Sequence, residues 1–215
     1  MPLTTEQLEA LKKITSPSVA NAIEVFKVRP RQEGNVSSEI RGLFPELGPL
    51  VGYAATCLIR AEQGPIDGHR ASLYGWWDFV MSIPAPRVIV VHDLDEPRGQ
   101  GAQWGEVQAN IHRALGCVGV VTDGSVRDLD EVRALKFQFA AAHVSVSHAN
   151  IHMVDFGDLA GFPAPLRRLL SGWLALFHVT PRNDLLRQIE QGLRQQGKLR
   201  LLPGRYAFAF SAGEM

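Results

Sequence analysis

An α/β fold is predicted by three features of the chain. Short β-branched runs are bounded by glycine or proline, as in Val118–Thr122 between Gly116 and Gly124, which suits a buried strand. Amphipathic segments lie between such runs, the clearest being Gly105 to Leu115 with apolar Val107, Ile111, Ala114 and Leu115 on one face. The run His143 to His148 alternates apolar and polar residues as a half-buried strand does. Alternation of short helices with short strands is the pattern of an α/β domain. A length of 215 residues allows one substantial core and demands no second domain, so 1–215 reads as a single domain.

The elements follow in order. Residues 4 to 14 form a short helix, where Thr4 and Gln7 have the spacing of a capping box. Ser16 caps a second helix with Pro17 at its first position and Val19, Ala20, Ile23 and Phe26 as apolar positions. Asn21 and Glu24 lie on this helix. Arg29 to Gly48 mixes proline, glycine and charge, and reads as loop with a short strand near Ile40. Leu50 to Ile59 reads as a strand in which Gly52 tolerates close backbone approach. The polar stretch Glu62 to His69 leads into a helix, Leu73 to Val80, whose clustered aromatics Tyr74, Trp76 and Trp77 suit core or subunit-interface packing. Pro84 and Pro86 end it, Val88–Val91 is a buried strand, and His92-Asp93 stands at its end. A loop to Gly101 then feeds the helix that starts at Gly105 and stops at Gly116. Leu129 to Leu135 is another short helix, and Phe137–Ala141 with His143–His148 are strands. His148 and His152 are too far apart along a strand for easy zinc chelation.

Composition excludes several classes. Lys plus Arg and Asp plus Glu number 22 each, giving a formal net charge of zero and no basic field for nucleic acid. No apolar run reaches the roughly 18 residues of a membrane span. The amino terminus lacks a basic and then apolar leader, so a cytoplasmic location is expected. Cys57 and Cys117 lack metal-site spacing and are expected to be buried free thiols.

The chemistry gathers around Gly105-Glu106 and Arg127-Asp128, with twenty residues between Glu106 and Arg127. A helix N-terminus at Gly105, Glu106, Val107 and Gln108 offers unpaired N–H groups to a carboxylate or phosphate. Asp128 and Glu106 are hard oxygen ligands suited to Mg²⁺ or Mn²⁺ with water completing the shell. Arg127 is a permanent cation that can stabilise an oxyanion. Together they suit a 2-oxo acid passing through an enolate. The alternative reading of the same residues is an N-cap Asp and a surface ion pair.

The run Gly105-Glu106-x20-Arg127-Asp128, set in GCVGVVTDGSVRDLDEV, resembles the signature of the 4-hydroxy-4-methyl-2-oxoglutarate aldolase family, which includes the RraA-like proteins. Ser16–Glu24, Arg29-Pro30-Arg31-x-Glu33-Gly34, Gly52–Thr56 and Val154-Asp155-Phe156-Gly157 support the likeness, which covers roughly residues 15 to 157. The resemblance implies a compact β/β/α swivelling-domain fold assembled as a homotrimer or homohexamer. It implies metal-dependent retro-aldol cleavage of a 4-hydroxy-2-oxo dicarboxylic acid to pyruvate and a second 2-oxo acid, with oxaloacetate decarboxylation open to the same site. Asp128 would bind the divalent metal, Glu106 would reach it through water, and Arg127 would stabilise the enolate. Gly105, Glu106, Val107, Gln108 and Arg127 would hold the substrate. The family also implies an alternative, a non-catalytic regulator of ribonuclease activity.

The C-terminal third departs from the family pattern. Residues 158–178 lack the acidic, glycine-containing strand expected there, which suggests a locally altered reading frame or strong divergence. An inactive paralogue is the functional counterpart of that reading. The likeness resumes at Pro181, where a C-terminal amphipathic helix is predicted over 181–197.

Overall fold

The computed structural model describes residues 3–26, 36–158, 160–162 and 208–210. The motif at 29–34, most of the atypical segment 158–178 and the helix predicted over 181–197 lie outside the described residues. Helix α1 (Thr5–Leu11) carries the predicted capping box: Gln7 N–H donates to Thr4 Oγ1 at 3.2 Å and Thr4 N–H to Gln7 Oε1 at 2.8 Å. It ends at Leu11, with Lys12 as its C-cap, earlier than the 4–14 expected. Helix α2 (Ser16–Val25) follows, but its cap is Thr15 rather than the expected Ser16: Ser18 N–H points to Thr15 Oγ1 at 3.4 Å and Val19 N–H donates to Thr15 O at 3.1 Å.

A mixed sheet forms the centre of the molecule. Strands β2 (Leu50–Arg60), β3 (Arg87–Asp93), β5 (Cys117–Val126) and β6 (Gln138–Val144) lie parallel and adjacent in that order. The two-residue β1 (Arg41–Gly42) pairs antiparallel with β6, and β7 (His152–Phe156) antiparallel with β2. Helices α3 (Leu73–Ser82), α4 (Glu106–Ala114) and α5 (Leu129–Ala134) make the crossovers between the parallel strands. Parallel strands must be joined this way, and burial on both faces explains their near-continuous apolar sequences. Short β4 (Ala102–Trp104) runs parallel to the end of β5, and β8 (Phe208–Phe210) pairs antiparallel with the start of β2.

The main core lies between the sheet and the three crossover helices. Ala55, Cys57 and Ile59 of β2, Ile89 and Val91 of β3, and Phe139 and Ala141 of β6 meet Trp76 and Val80 of α3, Ala109 of α4 and Val132 of α5. Both cysteines are buried and free. The aromatic cluster divides its labour: Trp76 is fully buried, whereas Tyr74 is exposed and meets Trp77 edge-on. Among the described residues no helix is long and apolar enough to cross a membrane.

Three boundaries differ from the sequence reading. Strand β5 continues through Gly124 to Val126 because a bulge between Thr122 and Ser125 absorbs the glycine rather than ending the strand. The two strands expected over 137–148 form one, β6, and residues after Val144 leave the sheet. The segment between β3 and α4 is not loop throughout, since β4 re-enters the sheet beside β5.

Candidate active site

The carboxyl end of β5 and the start of α4 converge. Arg127 N–H donates to Trp104 O at 2.8 Å, which joins the residue after β5 to the last residue of β4. Gly105 is the N-cap of α4 and has no side chain to offer its orphan N–H groups. Asp128 supplies that cap instead: its Oδ2 accepts Glu106 N–H at 3.0 Å. Asp128 itself begins α5 in the left-handed region (φ 54°, ψ 47°), and its side chain makes no cap bond to α5. The carboxylate therefore turns back to a different helix.

Gly105 is required by close approach, not by its dihedrals. A β-carbon there would collide with Asp128 Oδ2 and lie 2.9 Å from Arg127 Cγ. Arg127 Nε stands 3.8 Å from Asp128 Oδ2, an ion-pair distance longer than a hydrogen bond. Among the described residues that buried Nε has no hydrogen-bond partner. A buried guanidinium nitrogen without a partner suits an anion that completes the site. The side chains of Arg127 and Asp128 are 36% and 35% exposed, so the pair is open to a ligand.

The predicted residues are thus placed unequally. Gly105, Arg127, Asp128 and the Glu106 backbone share one contact. The Glu106 and Val107 side chains are exposed, and Gln108 is half-buried. Because Asp128 occupies Glu106 N–H, the N–H groups of Val107 and Gln108 are the ones without an intrahelical acceptor; the ladder begins with Ala109 N–H to Gly105 O at 3.0 Å. The N-cap reading of Asp128 and the ligand reading hold together: one oxygen caps α4 while the group stays solvent-accessible. Among the described residues no three His, Cys, Asp or Glu side chains form a metal cluster. One carboxylate with water and substrate oxygens is the donor set that suits Mg²⁺ or Mn²⁺ rather than zinc.

His112 fixes α4 from its buried side. Its Nδ1 lies 2.8 Å from Gln108 O, and its Nε2 accepts the Trp76 indole N–H at 2.8 Å. Trp104 packs on the imidazole with ring centres 4.6 Å apart. Burial pushes the His112 pKa down to about 4, against a weaker opposing effect of the Gln108 carbonyl. The ring is neutral at pH 7, as an acceptor for an indole must be.

A second polar cluster stands at the carboxyl ends of β3 and β5. His92 Nδ1 is 2.6 Å from Asp123 Oδ2, and Asp123 Oδ1 accepts Asp93 N–H at 2.8 Å. Asp93 is fully buried; its carboxylate accepts the N–H groups of Asp95 at 3.0 Å and Gly99 at 2.9 Å. Burial pushes its pKa up, against those two hydrogen bonds. Asp95 Oδ2 in turn accepts Ala61 and Glu62 N–H at 2.6 and 2.8 Å. These carboxylates pin the 94–101 loop to the sheet. The sequence places His92 and Asp93 at the end of this strand but shows neither the role of Asp95 nor the pairing with Asp123. The run His92-Asp93-Leu94-Asp95 directly after an apolar strand was the available signal.

The family model described as RraA-like: Aldolase/RraA matches residues 17–156. No curated protein matches the chain. Among solved structures, an uncharacterized protein from Pseudomonas syringae pv. tomato str. DC3000 is similar, with TM-score 0.54 and 19% identity over 74% of this chain and 68% of that one. A structure described as novel cellulases from microbes associated with the gut ecosystem gives TM-score 0.60 and 14% identity over 92% and 88%. Streptomyces coelicolor RraAS2, described as an unusual member of the RNase ES inhibitor RraA protein family, gives 0.53 and 18% over 72% and 73%. At these identities the likeness shows a shared fold alone.

Proposed function

The chain belongs to the RraA-like family, and from that premise we propose that it is a divalent-metal-dependent lyase acting on 4-hydroxy-2-oxo dicarboxylic acids. The observation that carries the reading is the Arg127 Nε, buried and without a partner among the described residues, beside the half-open Asp128 carboxylate at the first turn of α4. An anionic, oxygen-rich substrate would supply what this constellation lacks. A bound Mg²⁺ or Mn²⁺, held by Asp128 and reached by Glu106 through water, would act as a Lewis acid on the 2-oxo group.

The chain's own residues account for the rest. The N–H groups of Val107 and Gln108 would hold the substrate carboxylate at the positive end of α4. Arg127 would stabilise the enolate oxygen that develops as the C3–C4 bond breaks, and this charge stabilisation favours the transition state over the bound substrate. Oxaloacetate decarboxylation leaves the same pyruvate enolate and would use the same groups. Like its relatives by resemblance, the protein would work as a homotrimer or homohexamer in the cytoplasm.

The test is pyruvate release from 4-hydroxy-4-methyl-2-oxoglutarate, with Mg²⁺ and then with chelator. Turnover that needs the metal and disappears in Arg127→Ala supports the reading. No turnover of this substrate or of oxaloacetate with either metal would instead favour the non-catalytic regulator.

A further inference from the structure

We propose that Trp76 and His112 are positioning residues of this site, acting through an unbroken chain of hydrogen bonds that ends on the Asp128 carboxylate. The inference rests on the lyase reading above, in which Asp128 holds the metal. The Trp76 indole N–H donates to His112 Nε2 at 2.8 Å. An indole can only donate, so Nε2 is unprotonated and the ring proton sits on Nδ1. Nδ1–H therefore donates to the Gln108 carbonyl at 2.8 Å. That carbonyl shares a peptide group with Ala109 N–H, which donates to Gly105 O at 3.0 Å. Gly105 O in turn shares a peptide group with Glu106 N–H, which donates to Asp128 Oδ2 at 3.0 Å.

Every link runs the same way. The imidazole and the two peptide groups each accept at one end and donate at the other, so each bond polarises the next. Such chains strengthen by about 10–30% per bond. Trp76 and His112 are each 1% exposed, so water does not compete for the first links. A buried tryptophan on α3 thus reaches a solvent-accessible carboxylate at the far end of α4 through neutral groups alone.

Two further observations set these residues apart from ordinary core packing. The indole N–H groups of Trp77 and Trp104 are also buried and have no acceptor among the described residues, so this core leaves such donors unpaired elsewhere. At Trp76 it supplies an imidazole, which costs more to bury than a hydrocarbon. The same imidazole carries the Trp104 ring, with centres 4.6 Å apart, and Trp104 O accepts Arg127 N–H at 2.8 Å. Arg127 and Asp128 are therefore both referred to one buried ring, Arg127 through packing and Asp128 through hydrogen bonds. Breaking the chain should loosen the Glu106 N–H that orients Asp128, and a metal held by that carboxylate would lose its fixed oxygen.

The experiment uses the full chain. In ¹H–¹⁵N spectra without metal, the Ala109 and Glu106 amide protons should move upfield together in Trp76→Phe and further in His112→Phe. Ile89→Val, a core change off the chain, should move neither. His112→Asn restores an N–H donor near the Nδ1 position and should return both signals toward wild type. Mn²⁺ binding, followed by electron paramagnetic resonance, should weaken about three- to tenfold in His112→Phe and in the same direction in Trp76→Phe. This is less than the roughly 10- to 100-fold lost with a group bonded directly to a metal ligand. Saturating metal should then bring kcat within about threefold of wild type. A Glu106 signal that ignores both substitutions, or an Mn²⁺ affinity equal to the wild type's, overturns the proposal and leaves the lyase reading intact. A wild type that binds no divalent metal overturns both.

Discussion

The Asp128 carboxylate occupies the space that a β-carbon on Gly105 would need. The two residues therefore form one unit, in which the absence of a side chain on one strand end admits the cap from the other. Gly105→Ala must push Asp128 off Glu106 N–H. We expect turnover to fall at least about 100-fold and stability to fall by about 1–2 kcal/mol, the cost of a lost cap with some strain. Urea unfolding alongside pyruvate release checks both; a variant with wild-type values would show that the backbone accommodates a methyl group freely.

Asp128→Ala and Asp128→Asn should separate capping from ligation. Asparagine is as good a cap as aspartate, so it should keep stability within about 0.5 kcal/mol, whereas alanine should cost about 1 kcal/mol. Both should lose Mg²⁺-dependent turnover. Titration of activity with metal, set beside thermal unfolding, distinguishes the two contributions.

Arg127→Lys should recover little of the activity lost in Arg127→Ala. An ammonium cannot reproduce the planar guanidinium whose Nε lies buried beside Asp128. A deficit in kcat of about 10²- to 10³-fold is expected, the usual loss when one oxyanion-stabilising group is removed. Substantial activity in the lysine variant would point to bulk charge rather than directed hydrogen bonding.

Acid should destabilise the fold through His112. Its folded pKa is lowered from 6.5 to about 4, so the unfolded chain binds the extra proton between these values. The stabilisation is complete above pH 6.5 and is lost as the pH falls through 4. Its size is about 3 kcal/mol, from 1.36 kcal/mol for each pKa unit. Unfolding midpoints in urea from pH 7 to pH 4 measure this slope, which His112→Gln should flatten.

The buried thiols should resist reagents in the native state. Burial pushes the Cys117 pKa up to about 12 and that of Cys57 further still. Thiolate is the reactive form, so a disulfide reagent at pH 8 should label neither residue until denaturant is added. Prompt labelling of either one in the native protein would contradict its place in the core.

What the sequence made legible was local. The β-branched runs of β2, β3 and β5 and the glycine stop at Gly116 (φ +76°) announce themselves through periodicity and punctuation. Strand β4 did not, because Ala102-Gln103-Trp104 is too short to show a period and exists only by pairing with the end of β5. Gly124 misled for a related reason: a glycine in a strand can signal a bulge as readily as an end. The convergence of Gly105 with Arg127 and Asp128 was readable through resemblance. The pairing of His92 with Asp123 was not, because it depends on the register that places Val91 opposite Thr122, and register between parallel strands leaves no mark in either segment alone.

Glu106 precedes its capping carboxylate by twenty-two positions, so the first turn of α4 is finished only after all of β5 has been laid down. During synthesis the helix would leave the ribosome with its leading amides still facing water. Closure of that end thus reports on docking of the neighbouring strand, and the pocket cannot mature before the sheet beneath it.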